Sequence, residues 1–159
     1  MRSSAKVVPL DVLEERVRQL REQRKTVALA NGLFDILHVG HLRYLEAASE
    51  RADALVVAVN SDSSARRLKG PSRPVVPARE RAELVAGFSC VSWVTIFDEA
   101  TVEHLLERCR PTVHCKGTDY TAETVPEADT ARRLGIRVEI VGDPKQHATR
   151  DLLRRLREA

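Results

Sequence analysis

Short apolar runs alternate with amphipathic segments along the whole chain. The clearest apolar run is 54–59, an unbroken valine-rich segment typical of a strand that is buried on both faces. Between such runs, apolar residues recur three and four positions apart, and this spacing predicts helices with one buried face. The alternation favours βαβ units and a parallel sheet. The predicted strands are 26–30, 54–59, 93–97, 112–115 and 137–141.

An amphipathic segment also precedes the first predicted strand. Leu13, Val17 and Leu20 recur at helical spacing. Asp11 stands where an N-cap is expected, so the pattern predicts a helix from there to residue 22. We therefore expect a single α/β domain (26–159), a five-stranded, mainly parallel sheet with helices on both faces, and an N-terminal helix (1–25) packing on it. The other predicted helices are 41–51, 62–68, 78–88, 101–109, 127–134 and 149–157.

Composition excludes several classes of protein. The 159 residues include 26 Lys and Arg against 23 Asp and Glu, a net charge of +3, and most basic residues alternate with acids, as in 79–83, which is typical of a solvated helix face. Aromatic residues are only 4% of the chain, too few for a base-stacking platform, so we expect no nucleic-acid partner. No apolar run approaches the ~18–20 residues that span a bilayer, so no membrane partner is expected. Three cysteines without a C-x-x-C spacing favour reduced thiols in a cytoplasmic protein.

The segment after the first strand carries the strongest chemical pattern. In a parallel sheet, ligands bind outside the carboxyl ends of the strands. Residues 32–41 match neither common phosphate-binding glycine motif, but they place His38, Gly40 and His41 at a predicted helix start. Unpaired backbone N–H groups there suit phosphate, and Gly40 allows close approach. Capping or core histidines explain the pair about equally well, whereas zinc is disfavoured because no third ligand lies at helical spacing.

Four further segments bring polar or cationic groups to the same predicted edge. Residues 60–62 follow the second strand, where Asp62 is also explained as a helix cap. A loop rich in glycine and proline follows, and the run 66–73 within and before it carries four positive charges and no acid. Lys116 ends the fourth strand, and Thr149, expected to cap the last helix, precedes Arg150. The coincidence of these segments favours a site for phosphate groups.

Residues 32–41, Gly-Leu-Phe-Asp-Ile-Leu-His-Val-Gly-His, resemble the signature of the cytidylyltransferase-like nucleotidyltransferase superfamily. Segments 59–64, 67–75 and 116–120 resemble the heptose 1-phosphate adenylyltransferases, which include the C-terminal half of a bifunctional heptose kinase/adenylyltransferase. The resemblance spans about 26–156 and implies a Rossmann-like nucleotidyltransferase fold. A chain of this length leaves no room for a kinase domain, so a stand-alone transferase is expected. Two departures are Thr118, where many members have glycine, and His147-Ala148-Thr149, where Ser-Thr-Thr is commoner.

The resemblance implies a reaction. AMP is transferred from ATP to D-glycero-β-D-manno-heptose 1-phosphate, giving ADP-heptose and pyrophosphate, with Mg²⁺ or a similar divalent cation held mostly by phosphates and water. ADP-heptose of this kind serves lipopolysaccharide synthesis, and a homodimer is a further expectation. Two alternatives remain open. One is the same fold acting with another base or acceptor, such as glycerol 3-phosphate, and the other is a non-catalytic nucleotide-binding module.

The resemblance also assigns roles to individual residues. His38, His41 and Lys116 are the expected catalytic residues. Asp35 is expected to hold its loop or a Mg²⁺ ion. The expected sugar-phosphate ligands are Asn60, Asp62, Lys69 and Arg73. The expected nucleotide-binding residues are Gly32, Leu33, Phe34, Asp35, Gly40, Asp119, Thr149 and Arg150.

Overall fold

The computed structural model describes residues 1–144 and 148–159. Within them, five strands form one sheet in the order β3-β2-β1-β4-β5, and every strand pair is parallel. The predicted parallel α/β architecture is therefore confirmed. The strands are β1 (Val27–Gly32), β2 (Ala54–Asn60), β3 (Trp93–Phe97), β4 (Val113–Lys116) and β5 (Arg137–Ile140).

Helices connect the strands, as the apolar spacing predicted, and further helices precede β1 and follow β5. A short 3-10 helix (Ser3–Lys6) precedes them. None of the helices in the described ranges is both long and apolar enough to cross a bilayer. They are α1 (Leu10–Glu22), α2 (Val39–Ser49), α3 (Asp62–Lys69), α4 (Ala78–Ala86), α5 (Glu103–Cys109), α6 (Ala128–Leu134) and α7 (Thr149–Glu158).

Two predicted helix caps are wrong. The N-cap of α1 is Pro9, and Asp11 instead lies in the first turn, where its charge favours the positive end of the helix. The N-cap of α7 is Ala148 and makes no side-chain cap hydrogen bond. Thr149 is the first helical residue, and its hydroxyl donates to the Asp35 carbonyl at 2.7 Å instead of to its own helix. For Thr149, the alternative partner lies outside the local sequence that predicted the cap.

Strand β2, which lies beside the central strand β1, divides the core into two layers. All seven of its residues are buried, and alternate side chains enter opposite clusters. Val57 packs with Leu45 of α2 and Val85 of α4 on one face, whereas Val56 packs with the cluster that contains Leu13 of α1 on the other. The N-terminal helix is thus part of the core, and helices cover both faces of the sheet.

The strand order creates the crevice in which a ligand is expected. Strand β1 pairs with β2 on one side and β4 on the other, and the chain runs outward in opposite directions from this centre. The loops that leave β1 and β4 therefore diverge above the sheet. In open α/β sheets this reversal of strand order marks the ligand-binding edge.

Candidate active site

A cleft of about 1160 Å³ lies over the carboxyl ends of β1 and β4. The loop after β1, the start of α2, the basic loop after α3, the segment after β4 and helix α7 all line it. Among the residues assigned roles from the sequence, Asp62 alone does not line this cleft. Those that do are Gly32, Leu33, Phe34, Asp35, His38, Gly40, His41, Asn60, Lys69, Arg73, Lys116, Asp119, Thr149 and Arg150. His147 lies outside the described residues.

The two histidines cap helix α2. His38 is the N-cap residue, and its Nδ1 accepts the Gly40 backbone N–H at 3.1 Å. Nδ1 of His41 accepts the backbone N–H of His38 at 3.3 Å, which completes a reciprocal capping box. A neutral imidazole that accepts at Nδ1 carries its proton on Nε2, so the cap sets both rings as Nε2–H donors. Capping and phosphate binding are therefore compatible roles for this pair, whose ring centroids lie 4.0 Å apart.

The loop between β1 and α2 has a strained backbone. Phe34 and Ile36 adopt positive φ angles of 52° and 53°. The left-handed region is costly for any residue other than glycine, and most of all for a β-branched one. Such strain persists only where surrounding contacts hold the backbone, and here they come from Arg81 and from Asp35 itself.

Arg81 stabilises the strained loop from the protein interior. Its side chain is fully buried, and its guanidinium donates to the carbonyl oxygens of Leu33 at 2.5 Å and Val76 at 2.8 Å. It also pairs with Asp62 at 2.9 Å. The alternating charges of 79–83 predicted a solvated face, which is wrong for this residue. Arg81 lies three residues after the buried Ala78 and four before the buried Val85, and this helical spacing was the available signal.

Asp35 joins three segments of the cleft. Its buried carboxylate accepts Arg73 Nε at 2.7 Å and the backbone N–H groups of Val75 and Val76 at 2.9 and 3.0 Å. Its carbonyl accepts the Thr149 hydroxyl. Burial by itself raises the pKa of this carboxyl, but the two backbone donors and Arg73 outweigh burial and lower the pKa below the ordinary value of 3.8. Asp35 thus holds the basic loop against the loop after β1.

The same contacts do not fit Asp35 as a Mg²⁺ ligand. The sequence analysis expected Asp35 to hold either its loop or a Mg²⁺ ion. The structure contains the contact with the loop, and three hydrogen-bond donors already surround the carboxylate. Displacing them for a metal ion would leave a guanidinium and two backbone N–H groups without an acceptor. In the part of the chain that the structure describes, no group of three or more His, Cys, Asp or Glu side chains is placed to hold a metal.

We expect Asp35→Asn to lower the free energy of unfolding by about 1.5–3 kcal/mol at neutral pH, the usual range for hydrogen bonds to a charged group. Because folding lowers the Asp35 pKa, this stabilisation is complete above pH ~4 and is lost as the pH falls through the folded-state pKa. Urea unfolding at pH 7 and pH 3 measures the difference. Asp129→Asn is the matched control, because Asp129 is 93% exposed and should change stability by less than ~0.5 kcal/mol. A difference between Asp35→Asn and wild type that does not shrink at pH 3 would contradict the assignment.

The residues expected on the sugar-phosphate side separate into two groups. Lys69 is exposed and lines the cleft, and Arg73 reaches it from the basic loop while paired with Asp35. Asn60 is buried and donates to the Ser64 hydroxyl at 2.9 Å. Asp62 accepts the Ala78 N–H at 2.8 Å and so caps α4. These contacts give Asp62 a structural role, and its expected sugar-phosphate role stays a prediction that the structure does not favour.

Lys116 ends β4 at the base of the cleft and is only 6% exposed. Its ammonium lies 3.4 Å from Asn31 Oδ1, 4.0 Å from Glu127 Oε2 and 4.5 Å from the centre of the Tyr120 ring. Burial lowers the Lys116 pKa, and the negative charge of Glu127 opposes this. The ammonium is thus largely shielded from solvent and lies near the Glu127 carboxylate.

His114 supports this arrangement from within the sheet. Its Nε2 lies 2.9 Å from Asn31 Oδ1, so the neutral ring donates to that oxygen. Burial first, and the charge of Lys116 second, lower the His114 pKa to about 3, which keeps the ring neutral. The sequence reading missed Asn31 and Glu127. Asn31 directly precedes the glycine-led motif at the strand end, whereas nothing local distinguishes Glu127 from an ordinary helix-start acid.

Helix α7 adds positive charge that the sequence reading missed in part. Arg154 and Arg157 line the cleft together with Arg150. Their spacing of four and three residues places them on one face of the helix. With Lys69, Arg73 and Lys116 from the other segments, they give the cleft a basic lining that suits a ligand with several phosphate groups.

The sequence of this chain is similar to those of known proteins. Residues 29–152 match the model of the cytidylyltransferase-like family. The chain is 44% identical over 146 residues to the bifunctional protein HldE of Syntrophotalea carbinolica, covering 92% of this chain and 29% of that protein. It is 41% identical over 155 residues to the bifunctional protein HldE of Geobacter sulfurreducens, and the match covers 98% of this chain and 32% of that protein. The chain thus spans less than a third of the length of these relatives.

A solved structure is also similar. The crystal structure of the lipopolysaccharide core biosynthesis protein from Thermoplasma volcanium superposes with a TM-score of 0.63 and 29% sequence identity. The match covers 77% of this chain and 99% of that chain. The Rossmann-like fold predicted from the sequence is confirmed by this likeness.

Proposed function

Because the chain belongs to the cytidylyltransferase-like family, we propose that it transfers AMP from ATP to D-glycero-D-manno-heptose 1-phosphate, forming ADP-heptose and pyrophosphate. The observation that carries this proposal is the convergence of His38, His41 and Lys116 on one basic cleft at the carboxyl edge of the sheet. The resemblance of segments 59–64, 67–75 and 116–120 to heptose 1-phosphate adenylyltransferases supports the heptose as acceptor. The similarity to a lipopolysaccharide core biosynthesis protein agrees with this choice. The product would then serve lipopolysaccharide assembly.

The proposed chemistry is in-line displacement at the α-phosphorus of ATP. An oxygen of the sugar 1-phosphate attacks, the bond to the β-phosphate oxygen breaks, and pyrophosphate leaves. Because the nucleophile is already an anion, no general base is needed, and positioning with charge stabilisation supplies the catalysis. His38 and His41 would donate their Nε2–H groups to triphosphate oxygens, and Lys116 would neutralise charge on the α-phosphate. A preorganised donor of this type is worth about 10²–10³ in rate.

The start of α7 would bind the β- and γ-phosphates. The first backbone N–H groups of a helix have no intrahelical partner and suit an anion. The Thr149 hydroxyl is directed to the Asp35 carbonyl, so its backbone N–H and the Arg150 side chain are the proposed ligands. Gly32, Leu33 and Phe34 would contact the nucleotide through backbone groups, and Asp119 from the loop after β4.

Lys69 and Arg73 are the proposed ligands of the sugar phosphate, with the basic loop closing over it. Asn60 lies below them and would shape the pocket. Mg²⁺ bound to phosphate oxygens and water would neutralise part of the negative charge of the phosphate groups. Since the Asp35 carboxylate is already surrounded by donors, no protein ligand is proposed for the ion. The expected homodimer and cytoplasmic location stay predictions.

Pyrophosphate release measured with purified protein and Mg²⁺ tests the proposal. ATP, CTP and GTP are each combined with heptose 1-phosphate, glucose 1-phosphate and glycerol 3-phosphate. We expect the highest kcat/KM for ATP with heptose 1-phosphate. A preference for CTP with glycerol 3-phosphate would instead support the alternative suggested by the family description. Nucleotide binding in calorimetry with no turnover of any pair would support a non-catalytic binding module.

A further inference from the structure

A buried row of polar side chains lies beneath the cleft, and one member has no function in the chemistry described so far. Glu127 is 2% exposed and is the N-cap residue of α6. Its Oε1 accepts the Val102 backbone N–H at 3.3 Å, while its Oε2 is buried without a hydrogen-bond partner. An unpaired carboxylate oxygen in the interior is costly and needs a compensating interaction.

The compensating charge is Lys116. Glu127 Oε2 lies 4.0 Å from the ammonium, close enough for strong attraction in a buried setting but too far for a hydrogen bond. Asn31 Oδ1 lies at 3.4 Å, near the limit of a hydrogen bond, and also accepts from His114. The Tyr120 ring covers the ammonium from the loop after β4. Lys116 is therefore held by charge without a short hydrogen bond to either oxygen.

This spacing distinguishes two roles for a buried carboxylate. A short ion pair would engage at least one of the three N–H donors of Lys116 and hold the ammonium toward the carboxylate, away from a substrate. A carboxylate at 4.0 Å favours the protonated amine while leaving its N–H groups able to turn toward a phosphate oxygen. The second role fits a lysine that ends a strand at the base of the cleft.

We propose that Glu127 is a positioning residue that keeps Lys116 protonated and directed toward the phosphate of a bound substrate. The proposal rests on the proposed function for the identity of that phosphate. The groups that face Lys116 are Glu127 at the start of α6, Asn31 of β1, His114 two positions earlier on β4, and Tyr120. Among them Glu127 is the carboxylate, so its removal has the largest effect on the charge of Lys116.

Glu127→Gln tests this, because the amide oxygen still accepts the Val102 N–H while the charge is removed. Lys116 is one of five lysines, so its ¹³Cε resonance can be assigned by comparison with Lys116→Met. We expect Glu127→Gln to weaken proton binding at Lys116 at least about tenfold. The alkaline limb of the kcat profile should move to lower pH, with about tenfold slower turnover near pH 9. Glu127→Asp, which keeps the charge, should retain a limb closer to that of wild type.

Controls separate this role from a purely structural one. Glu123→Gln changes an exposed acid outside the cleft and should leave both the titration and turnover unchanged. In the Lys116→Met background, Glu127→Gln should cause no further loss of kcat. An unchanged Lys116 titration in Glu127→Gln, or unchanged turnover at all pH values, would overturn the proposal. The NMR titration needs no substrate, so it remains decisive even if the assay matrix assigns another reaction.

Discussion

Replacing His41 with alanine is expected to lower kcat by about 10²–10³, the usual effect of removing one preorganised donor to a developing charge. The imidazole Nδ1 is used by the helix cap, and the Nε2–H is the group that would bind a triphosphate oxygen. The substitution also removes one capping hydrogen bond, so we expect about 1 kcal/mol less stability. The loss of turnover should therefore greatly exceed the loss of folded protein.

A cap-preserving variant separates the two effects. His41→Gln retains an oxygen that can accept the His38 N–H, as glutamine does in an ordinary capping box. We expect its thermal stability to approach wild type while its turnover stays low, because the imidazole donor is absent. His104→Ala is the control, since His104 is exposed on α5 outside the cleft. Near-wild-type turnover of His41→Ala with saturating ATP and Mg²⁺ would refute the phosphate role.

Replacing Arg81 with leucine is expected to cause the largest loss of stability, about 2–5 kcal/mol, because each buried acceptor left without a donor costs about 1–3 kcal/mol. Leucine fills part of the space but leaves the carbonyl oxygens of Leu33 and Val76 without a donor and Asp62 without its cation. The strained loop at Phe34 and Ile36 then loses its main support. We expect the remaining folded protein to bind ATP more weakly.

Chemical denaturation and ATP titration measure both consequences of Arg81→Leu. Arg79→Leu is the matched control on the same helix, because Arg79 is exposed. Its effect on the free energy of unfolding should stay within about 0.5 kcal/mol. If Arg81→Leu were as stable as Arg79→Leu, the three hydrogen bonds of Arg81 would not be holding the loop.

The strands and the class of enzyme were predictable from sequence for physical reasons. Burial on both faces makes a strand such as β2 uniformly apolar, and strands of that kind separated by helical patterns pack as a parallel sheet. The family match confirms a nucleotidyltransferase, as the motif 32–41 indicated. The cap expected at Thr149 is a local pattern that a tertiary contact overrode, whereas the cap expected at Asp11 is wrong because α1 already begins at Leu10.

The candidate site was predictable wherever its residues follow a strand end. His38, His41 and Lys116 do so, and all three line the cleft. Arg81 and Glu127 do not, since each acts through a partner distant in sequence that no local pattern reveals. Asp35 was expected to hold either the loop or a metal, and only the fold brings Arg73, 38 residues away, to its carboxylate.

The strand order also has a consequence for folding. The contact between Asn31 and Lys116 joins residues 85 apart in sequence, and it depends on the pairing of β1 with β4. Closing a loop of that length costs about 4 kcal/mol of chain entropy, more than one hydrogen bond supplies, so packing of the sheet and helices must offset it. The cleft therefore cannot assemble in the N-terminal half of the chain alone, even though that half carries both histidines. Catalytic competence is expected to emerge late in folding, when the two halves of the sheet join.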